Sequence, residues 1–308
     1  MLVAGCLAEA PRTAEPTLAA KVQSLRAQGH RALDRGDRAR ARAIFEEARR
    51  LAESLDDLPG VTQALNDLGA VTALEGEASA AVQLHQQALV VAESVKRPDL
   101  IVDSMTHLGT ALQLAGQTEE AASYYARGLA LARESGNRQS EAVLLNNIGL
   151  LDKQAGRMTE AEASFASALA INRALDNRPA QAANLANLGL IAEAAGRLDE
   201  AVGDFQAALE LDKAAENRSA IAADLSGLAR VAELQNQPGE ALTYAQRSYW
   251  SYRALGDMPR ARTELDRALA LARAQGENDL ILQLETEIKN WPSSNSSSPS
   301  SKPTQGKR

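Results

Sequence analysis

The chain has 308 residues, a formal net charge of −7 at pH 7 and only 3% aromatic residues. The acidic balance argues against nucleic acid as a partner, because a phosphate backbone is bound mainly by clustered Lys and Arg. The single cysteine, Cys6, excludes an intramolecular disulfide and a cysteine-based zinc site, and no stretch is long and apolar enough to span a bilayer as a helix.

Residues 1–16 precede the first predicted helix, and the run VAGC at residues 3–6 resembles the lipobox of bacterial lipoproteins. In that family the cysteine is lipidated and becomes the mature N-terminus. A working signal needs a basic region and an apolar stretch of about 7–15 residues before the cysteine, which is missing here. Either the true start lies upstream and residues 1–16 are a signal remnant and tether, or Cys6 is an ordinary thiol. The first interpretation is preferred, because the only cysteine of the chain stands at the lipobox position.

Residues 17–290 follow a repeat of 40 residues. Seven positions in phase suit a tight reversal of the chain, because six hold glycine and one holds asparagine, the next-best residue for a positive φ. These positions are Gly36, Gly76, Gly116, Gly156, Gly196, Asn236 and Gly276. With no insertion or deletion between them, they predict seven repeats.

Small residues recur at three further positions of the repeat, and large apolar residues fill the rest of the core. The small columns begin at Gly29, Ala41 and Ala48. Small side chains at fixed helical positions let two backbones approach closely, and a large residue there would cost about 1–3 kcal/mol. Leu185 and Phe205 exemplify the large residues, which recur at helical spacing on either side of the turn. Each repeat is therefore predicted to be two amphipathic helices, which gives an all-α fold.

The Leu-Gly pair at 188–189, the turn at Gly196 and the following Ala201 and Phe205 resemble the tetratricopeptide repeat (TPR). The usual TPR unit has about 34 residues and an aromatic first position. Here the period is longer and that aromatic is Leu or Met, which looks like the long TPRs of kinesin light chains and of bacterial signalling proteins. The resemblance covers about 17–290 and implies a right-handed α-solenoid of about seven helix pairs, with first helices lining a concave groove.

In TPR proteins peptide ligands lie in that groove, so the resemblance implies a partner-binding surface on the first helices. The inward positions of the family correspond here to Asn66, Thr106, Asn146, Asn147, Lys153, Asn187, Glu193, Arg230 and Glu233. Asn147 and Asn187 suit the gripping of a peptide backbone, because an amide both donates and accepts. They suit a local bond to the preceding helix equally well, and both interpretations stay open.

Two C-terminal features complete the chain. The cluster Tyr244, Tyr249, Trp250 and Tyr252 could be an interaction hot spot, but packing against the seventh pair is preferred because the array ends nearby. The segment 291–308 is mostly Ser, Pro, Lys and Gly, so it cannot bury enough apolar surface and is predicted to be disordered.

No arrangement of residues points to catalysis, a metal or a cofactor. The three histidines, His30, His85 and His107, lack ligand spacing with a third partner, and neither a phosphate-binding glycine loop nor a nucleophile elbow occurs. We therefore expect a scaffold, not an enzyme, that binds a protein or peptide and no nucleic acid. The preferred setting is the periplasmic face of a bacterial membrane, with Cys6 as the lipid anchor. The alternative is a cytoplasmic TPR regulatory or sensor module in signalling.

Overall fold

A computed structural model describes residues 17–291, and every regular element in that range is an α-helix. The helices follow one another in consecutive pairs, each pair occupying one 40-residue repeat, which confirms the predicted all-α fold and its period. Their bounds are α1 (Leu18–Asp34), α2 (Arg38–Ser54), α3 (Leu58–Leu74), α4 (Ala78–Val95), α5 (Pro98–Leu114), α6 (Thr118–Glu134), α7 (Arg138–Gln154), α8 (Met158–Ala174), α9 (Arg178–Ala194), α10 (Leu198–Ala214), α11 (Arg218–Leu234), α12 (Pro238–Ala254), α13 (Met258–Gln275) and α14 (Asn278–Lys289).

The chain divides into two compact units, which meet between Ile171 and Asn172 near the end of α8. The N-terminal unit contains α1 to α7 and most of α8, and the C-terminal unit contains α9 to α14. The predicted signal remnant at 1–16, the lipidation site Cys6 and the predicted tail beyond Trp291 lie outside the described residues.

Short turns with a left-handed residue separate the helices. Between the two helices of a pair this residue is usually glycine, as at Gly156 with a φ of 77°, and in the sixth pair it is Asn236 with a φ of 57°. The next helix often begins with an Asp or Asn whose side chain accepts a backbone N–H of the first turn, as Asn137 does from Ser140. This cap satisfies a donor that the helix itself leaves unpaired, so the reversal and the new helix start are both encoded locally.

A glycine of the first helix packs against an aromatic ring of its own second helix. A Cβ added to Gly109 would lie 2.5 Å from the Tyr125 ring, and one added to Gly149 would lie 2.8 Å from the Phe165 ring. The ring therefore occupies the space of the missing side chain, and the helices of a pair approach closely. In the sixth pair the two corresponding positions are Ala229 and Ala245, both fully buried, so a smaller second-helix residue accompanies the larger first-helix one.

The tyrosines of α12 are part of the core of the C-terminal unit. Tyr249 and Tyr252 are buried in one cluster with residues of α13, and Tyr244 is partly buried against it. Trp250 is 53% exposed, and its ring lies 4.7 Å from that of Tyr249. Packing thus accounts for the tyrosines, whereas Trp250 remains on the surface.

Where a second helix packs against the first helix of the next pair, one residue of each helix is buried at the contact. The two residues are always 12 positions apart in the sequence. In the N-terminal unit these junction positions are mostly apolar: Ala52 and Ala64, Ala92 and Ser104, Ala132 and Leu144. In the C-terminal unit they are polar: Asn172 and Asn184, Asp212 and Asp224, Tyr252 and Glu264. The same helix contact is therefore made mostly by apolar side chains in one unit and by polar side chains in the other.

Candidate partner-binding surface

First helices of neighbouring pairs lie side by side: α1 packs on α3, α3 on α5 and α5 on α7 in the N-terminal unit, and α9 packs on α11 in the C-terminal unit. We call the side chains of the first helices that point away from the second helices the first-helix face. Hydrogen bonds join neighbouring first helices, as between Gln23 and Gln63 at 2.9 Å and between Gln113 and Gln154 at 3.2 Å. Each unit therefore presents a polar strip on the helices where the predicted groove residues lie.

Asp67 is the centre of an ionic cluster on α1 and α3. Its carboxylate is buried and accepts hydrogen bonds from Arg26 Nε at 2.6 Å and from His30 Nε2 at 3.2 Å. Burial acts to raise the pKa of Asp67, but the hydrogen bonds from His30 and Arg26 outweigh it and hold the pKa below its usual value. The same bond to Asp67 raises the pKa of His30. The cluster is thus charged and internally neutralised near neutral pH.

Asn66, predicted as a groove residue, is buried and its amide is already used inside the protein. Its Nδ2 donates to Ser104 Oγ at 3.1 Å, and its Oδ1 lies 3.0 Å from Nδ1 of the buried His85. Burial lowers the pKa of His85 to about 3, so the ring is neutral and can donate to Asn66 from Nδ1. Asn66 therefore positions a core histidine and is not part of the exposed face.

Thr106, another predicted groove residue, lines a cavity of about 340 Å³ between α5 and the start of α7. Its hydroxyl donates to the Val102 carbonyl at 2.8 Å, so the cavity receives mainly its methyl group. Val143 on α7 is 45% exposed at the opposite wall. The lining residues are Asp103, Thr106, His107, Asn137, Gln139, Ser140 and Val143.

Asp103 and His107 lie one helical turn apart at this cavity. Desolvation by the surrounding helices raises the pKa of Asp103 and lowers that of His107, although both side chains keep contact with solvent. The His107 ring stacks on that of His85 at 5.3 Å. Within residues 17–291 Asp103 has no ion pair, so the cavity presents a carboxylate that a cationic group would stabilise.

The predicted groove residues of α7 and α9 are all half-buried. Asn146, Lys153 and Asn187 already make polar or charged interactions within the protein. Burial lowers the pKa of Lys153. Asn147 differs, because its side chain makes no hydrogen bond to any residue in the described range, and it lies one turn beyond Val143 on the same side of α7.

In the C-terminal unit the predicted charged residues are brought together as ion pairs. Arg230 on α11 donates to both carboxylate oxygens of Glu193 on α9, at 2.7 and 2.8 Å. This bond raises the pKa of Arg230. Glu233, which is exposed, pairs with Arg267 of α13. A ligand here would have to compete with pairs that already join successive first helices.

Several residues of the face were not predicted, although a simple signal marks them. Asp67, His107 and Arg267 occupy the same position of the repeat as Asn147 and Asn187. Every member of this column except its alanine and glycine is polar, which distinguishes it from the neighbouring core columns. Counting 40 residues at a time from Asn147 and Asn187 along the sequence would have identified Asp67, His107 and Arg267.

No group of three or more His, Cys, Asp or Glu side chains within residues 17–291 is arranged to hold a metal ion. Across the same range, none of the helices combines the length and the apolar character that crossing a bilayer requires.

Comparison with known proteins agrees with this architecture. The tetratricopeptide repeat family model matches three overlapping stretches, at residues 100–174, 140–214 and 180–249. A comparison with curated proteins finds no match.

Among solved structures, BtubC (BKLC) from P. vanneervenii is 21% identical, with a TM-score of 0.61 over 79% of this chain and 93% of that chain. The STAND protein PH0952 from Pyrococcus horikoshii, which has a tetratricopeptide repeat sensor, is 13% identical, with a TM-score of 0.71 over 88% of this chain and 42% of that chain. A Rap protein complexed with Competence and Sporulation Factor is 16% identical, with a TM-score of 0.62 over 85% of this chain and 78% of that chain.

The structural similarities extend over most of the described helix pairs, and the family match covers the third to the sixth pair. Residues 100–249 of the chain therefore belong to the tetratricopeptide repeat family.

Proposed function

We propose that the protein is an interaction scaffold that binds an extended segment of a protein partner on the first-helix face of α5 and α7. The observation that carries the proposal is the cavity between these helices, where Asp103, His107 and Val143 meet. A similar structure, the Rap protein, is a complex with a factor, and the Cut9–Hcn1 structure is a hetero-tetramer, which supports binding as the type of function.

The chemistry of the face indicates what the bound segment contains. The Asp103 carboxylate favours a Lys or Arg side chain, because within residues 17–291 it is hydrogen-bonded to the neutral Ser140 and has no ion pair. Val143, which is 45% exposed, favours an apolar side chain beside it. Asn147 has an unused amide that can both donate to and accept from a peptide backbone. The expected ligand is therefore an extended strand with a basic residue next to an apolar one.

Photo-crosslinking followed by binding measurements tests this proposal. A photoreactive amino acid replaces Val143 on the first-helix face or, as a matched control, Val90 on α4, which is 66% exposed on a second helix. We expect the Val143 position, but not the Val90 position, to capture one defined partner. Asp103→Lys should abolish its binding, and Asn147→Ala should weaken it by about tenfold, the value of one hydrogen bond. The exposed Gln87→Ala serves as the control. Unchanged affinity in both variants would refute this binding site.

We also propose that the scaffold is tethered through Cys6 to a bacterial membrane, facing the periplasm. The VAGC run and the position of the only cysteine support this. Cys6→Ser should move the protein from the membrane fraction to the soluble fraction, while Arg12→Ala should leave it membrane-bound. An unaltered distribution of the Cys6→Ser protein would remove the tether and leave the scaffold proposal standing.

A further inference from the structure

The first helix pair has an open cleft on the side that faces away from the rest of the array. The cavity there has a volume of about 280 Å³. Arg31, Arg35 and Arg40 are exposed at it, and none of them forms an ion pair with a residue in the described range. We call this the open cleft; its lining residues are Gln28, Arg31, Ala32, Arg35, Asp37, Arg40 and Ile44.

The corresponding cleft of the sixth pair shows which element faces such a cleft when another helix pair precedes it. Five repeats further along the chain the same positions hold Leu228, Ala232, Gln235, Gln237, Glu240 and Tyr244, which line a cavity of about 250 Å³. The preceding second helix, α10, covers that cleft with Asp199, Val202 and Gln206. Gln235, which corresponds to Arg35, donates from Nε2 to Asp199 at 2.8 Å. In the sixth pair the facing wall of the cleft is therefore a second helix with an acid in its first turn.

The bond at Gln235 belongs to a pattern. The residue at the C-terminal end of a first helix, either its last residue or the one after it, repeatedly contacts the start of the second helix before it. Gln275 donates to the Pro238 carbonyl at 3.0 Å, and Glu75 pairs with Arg42. Arg35 stands in the same column, but in the described range no second helix precedes it.

The final helix of the described range, α14, carries the matching surface, and no cleft within residues 17–291 faces it. Asp279, Leu282 and Thr286 lie two repeats after the α10 residues that cover the cleft, and all three are exposed. Leu282 is 70% exposed, whereas Val82 and Leu242, at the same position of the repeat, are only 7% and 8% exposed. Terminal repeats usually present a polar outer face, so an exposed leucine at this position needs a reason.

The two ends are also complementary in charge. The open cleft offers three unpaired guanidinium groups, and the start of α14 offers the exposed carboxylates of Glu277 and Asp279. Opposite charges on two ends of one chain favour contact between different copies over contact between like ends.

We propose that α14 of one copy docks into the open cleft of a second copy, with Asp279 against Arg35 and Leu282 over Ala32 and Ile44. The contact repeats the arrangement of α10 against α11 and α12, with the next helix pair supplied by another molecule. It joins two different surfaces, so a pair of bound copies still has one open cleft and one uncovered α14 between them, and association propagates. This self-association goes beyond the scaffold role, which requires only one copy.

The test is sedimentation velocity of the full chain over a concentration series at low salt. We expect the average mass to rise with concentration and to fall when salt is added, because the contact is partly ionic. Arg35→Glu and Asp279→Arg, each alone, should weaken association by about tenfold or more, since each places like charges together. Arg218→Glu, which reverses another exposed arginine without an ion pair, should leave association unchanged.

A mixture of the two variants decides the geometry. Combined, the Arg35→Glu and Asp279→Arg chains pair opposite charges at both kinds of contact, so association should return to the level of the unaltered protein. A chain that is monomeric at every concentration would overturn the proposal, and would mean that its own termini or another protein cover the ends. Association that neither reversal weakens, or that mixing does not restore, would overturn it as well.

Discussion

The junctions of the two units solve one packing problem in two ways. At Ala132 and Leu144 the N-terminal unit fills the space between a second helix and the next first helix with hydrocarbon. At Asn172 and Asn184 the C-terminal unit fills it with two amides, the Nδ2 of the first donating to the Oδ1 of the second at 2.8 Å. Both solutions bury the positions almost completely. Backbone geometry therefore does not dictate polarity at a junction, and at this one the buried amide of Asn172 has a hydrogen-bond partner.

The largest expected effect comes from placing a charge in the apolar type of junction. Leu144 is fully buried, and its Cδ atoms would lie 3.3 Å from a Cβ added to Gly128. Leu144→Asp should lower the free energy of unfolding by about 4 kcal/mol or more, since it removes packing and buries a carboxylate without a partner. Chemical denaturation followed by circular dichroism measures the loss.

The control is the corresponding position of the C-terminal unit. Asp224→Leu removes a buried carboxyl from its pair with Asp212 and should cost far less, or raise stability, at pH 8. Equal losses from the two substitutions would contradict the distinction between the junctions.

The second effect is a dependence of stability on pH that the acidic junction produces and that an apolar junction does not. Burial, together with the neighbouring Asp212, raises the pKa of Asp224 to about 7. An unfolded chain has an aspartate pKa of about 3.9, so the folded protein binds the extra proton more tightly between about pH 4 and 7. Stability from this group is present below that window and is lost as the pH rises through it, by up to about 4 kcal/mol.

Asp224→Asn should remove this loss. The free energy of unfolding of the variant, relative to the unaltered protein, should therefore increase between pH 4 and pH 8. Asn217, which donates to Asp212 at 3.1 Å, is present in both proteins and does not alter the comparison. Parallel pH curves for the two proteins would show that the pKa of Asp224 is not raised in the folded protein.

The third and smallest effect tests whether the two types of junction are interchangeable. Asn172→Ala removes the Nδ2 donor to the buried Asn184 Oδ1 and should cost about 1–3 kcal/mol. Adding Asn184→Leu copies the pair Ala132 and Leu144 and should recover most of that loss, as thermal unfolding would show. A double variant whose loss equals the sum of the single losses would mean that the surroundings of this junction, and not the pair, require polarity.

Much of the fold could be predicted from the sequence because its information is local and repeated. Gly109 and Tyr125, or Gly149 and Phe165, mark a close helix contact whose spacing is constant from one repeat to the next. A single such pair would be weak, but a column of them identifies the helix pairs and their period.

The candidate surface was harder to predict, because one change in the core alters the role of a surface position. His85 stands in the column of Phe45 and Tyr125, and a buried imidazole needs a hydrogen-bond partner. Asn66 is that partner and is therefore buried. Comparing Asn66 with the residues at the same position of the other repeats could not show this. Likewise, Asp212 and Asp224 look like two more acids of a soluble face, because a sequence pattern does not show which acids are buried together.

The constant interval between turns has a consequence for the history and the engineering of the chain. Since Gly116, Gly156 and Gly196 are equally spaced, excising or duplicating any 40-residue stretch between two of them rejoins a turn to a turn, and no helix is cut or lengthened. Unequal recombination can therefore change the number of helix pairs without producing a truncated or extended helix. The two residues that meet at each new junction must still be compatible in polarity.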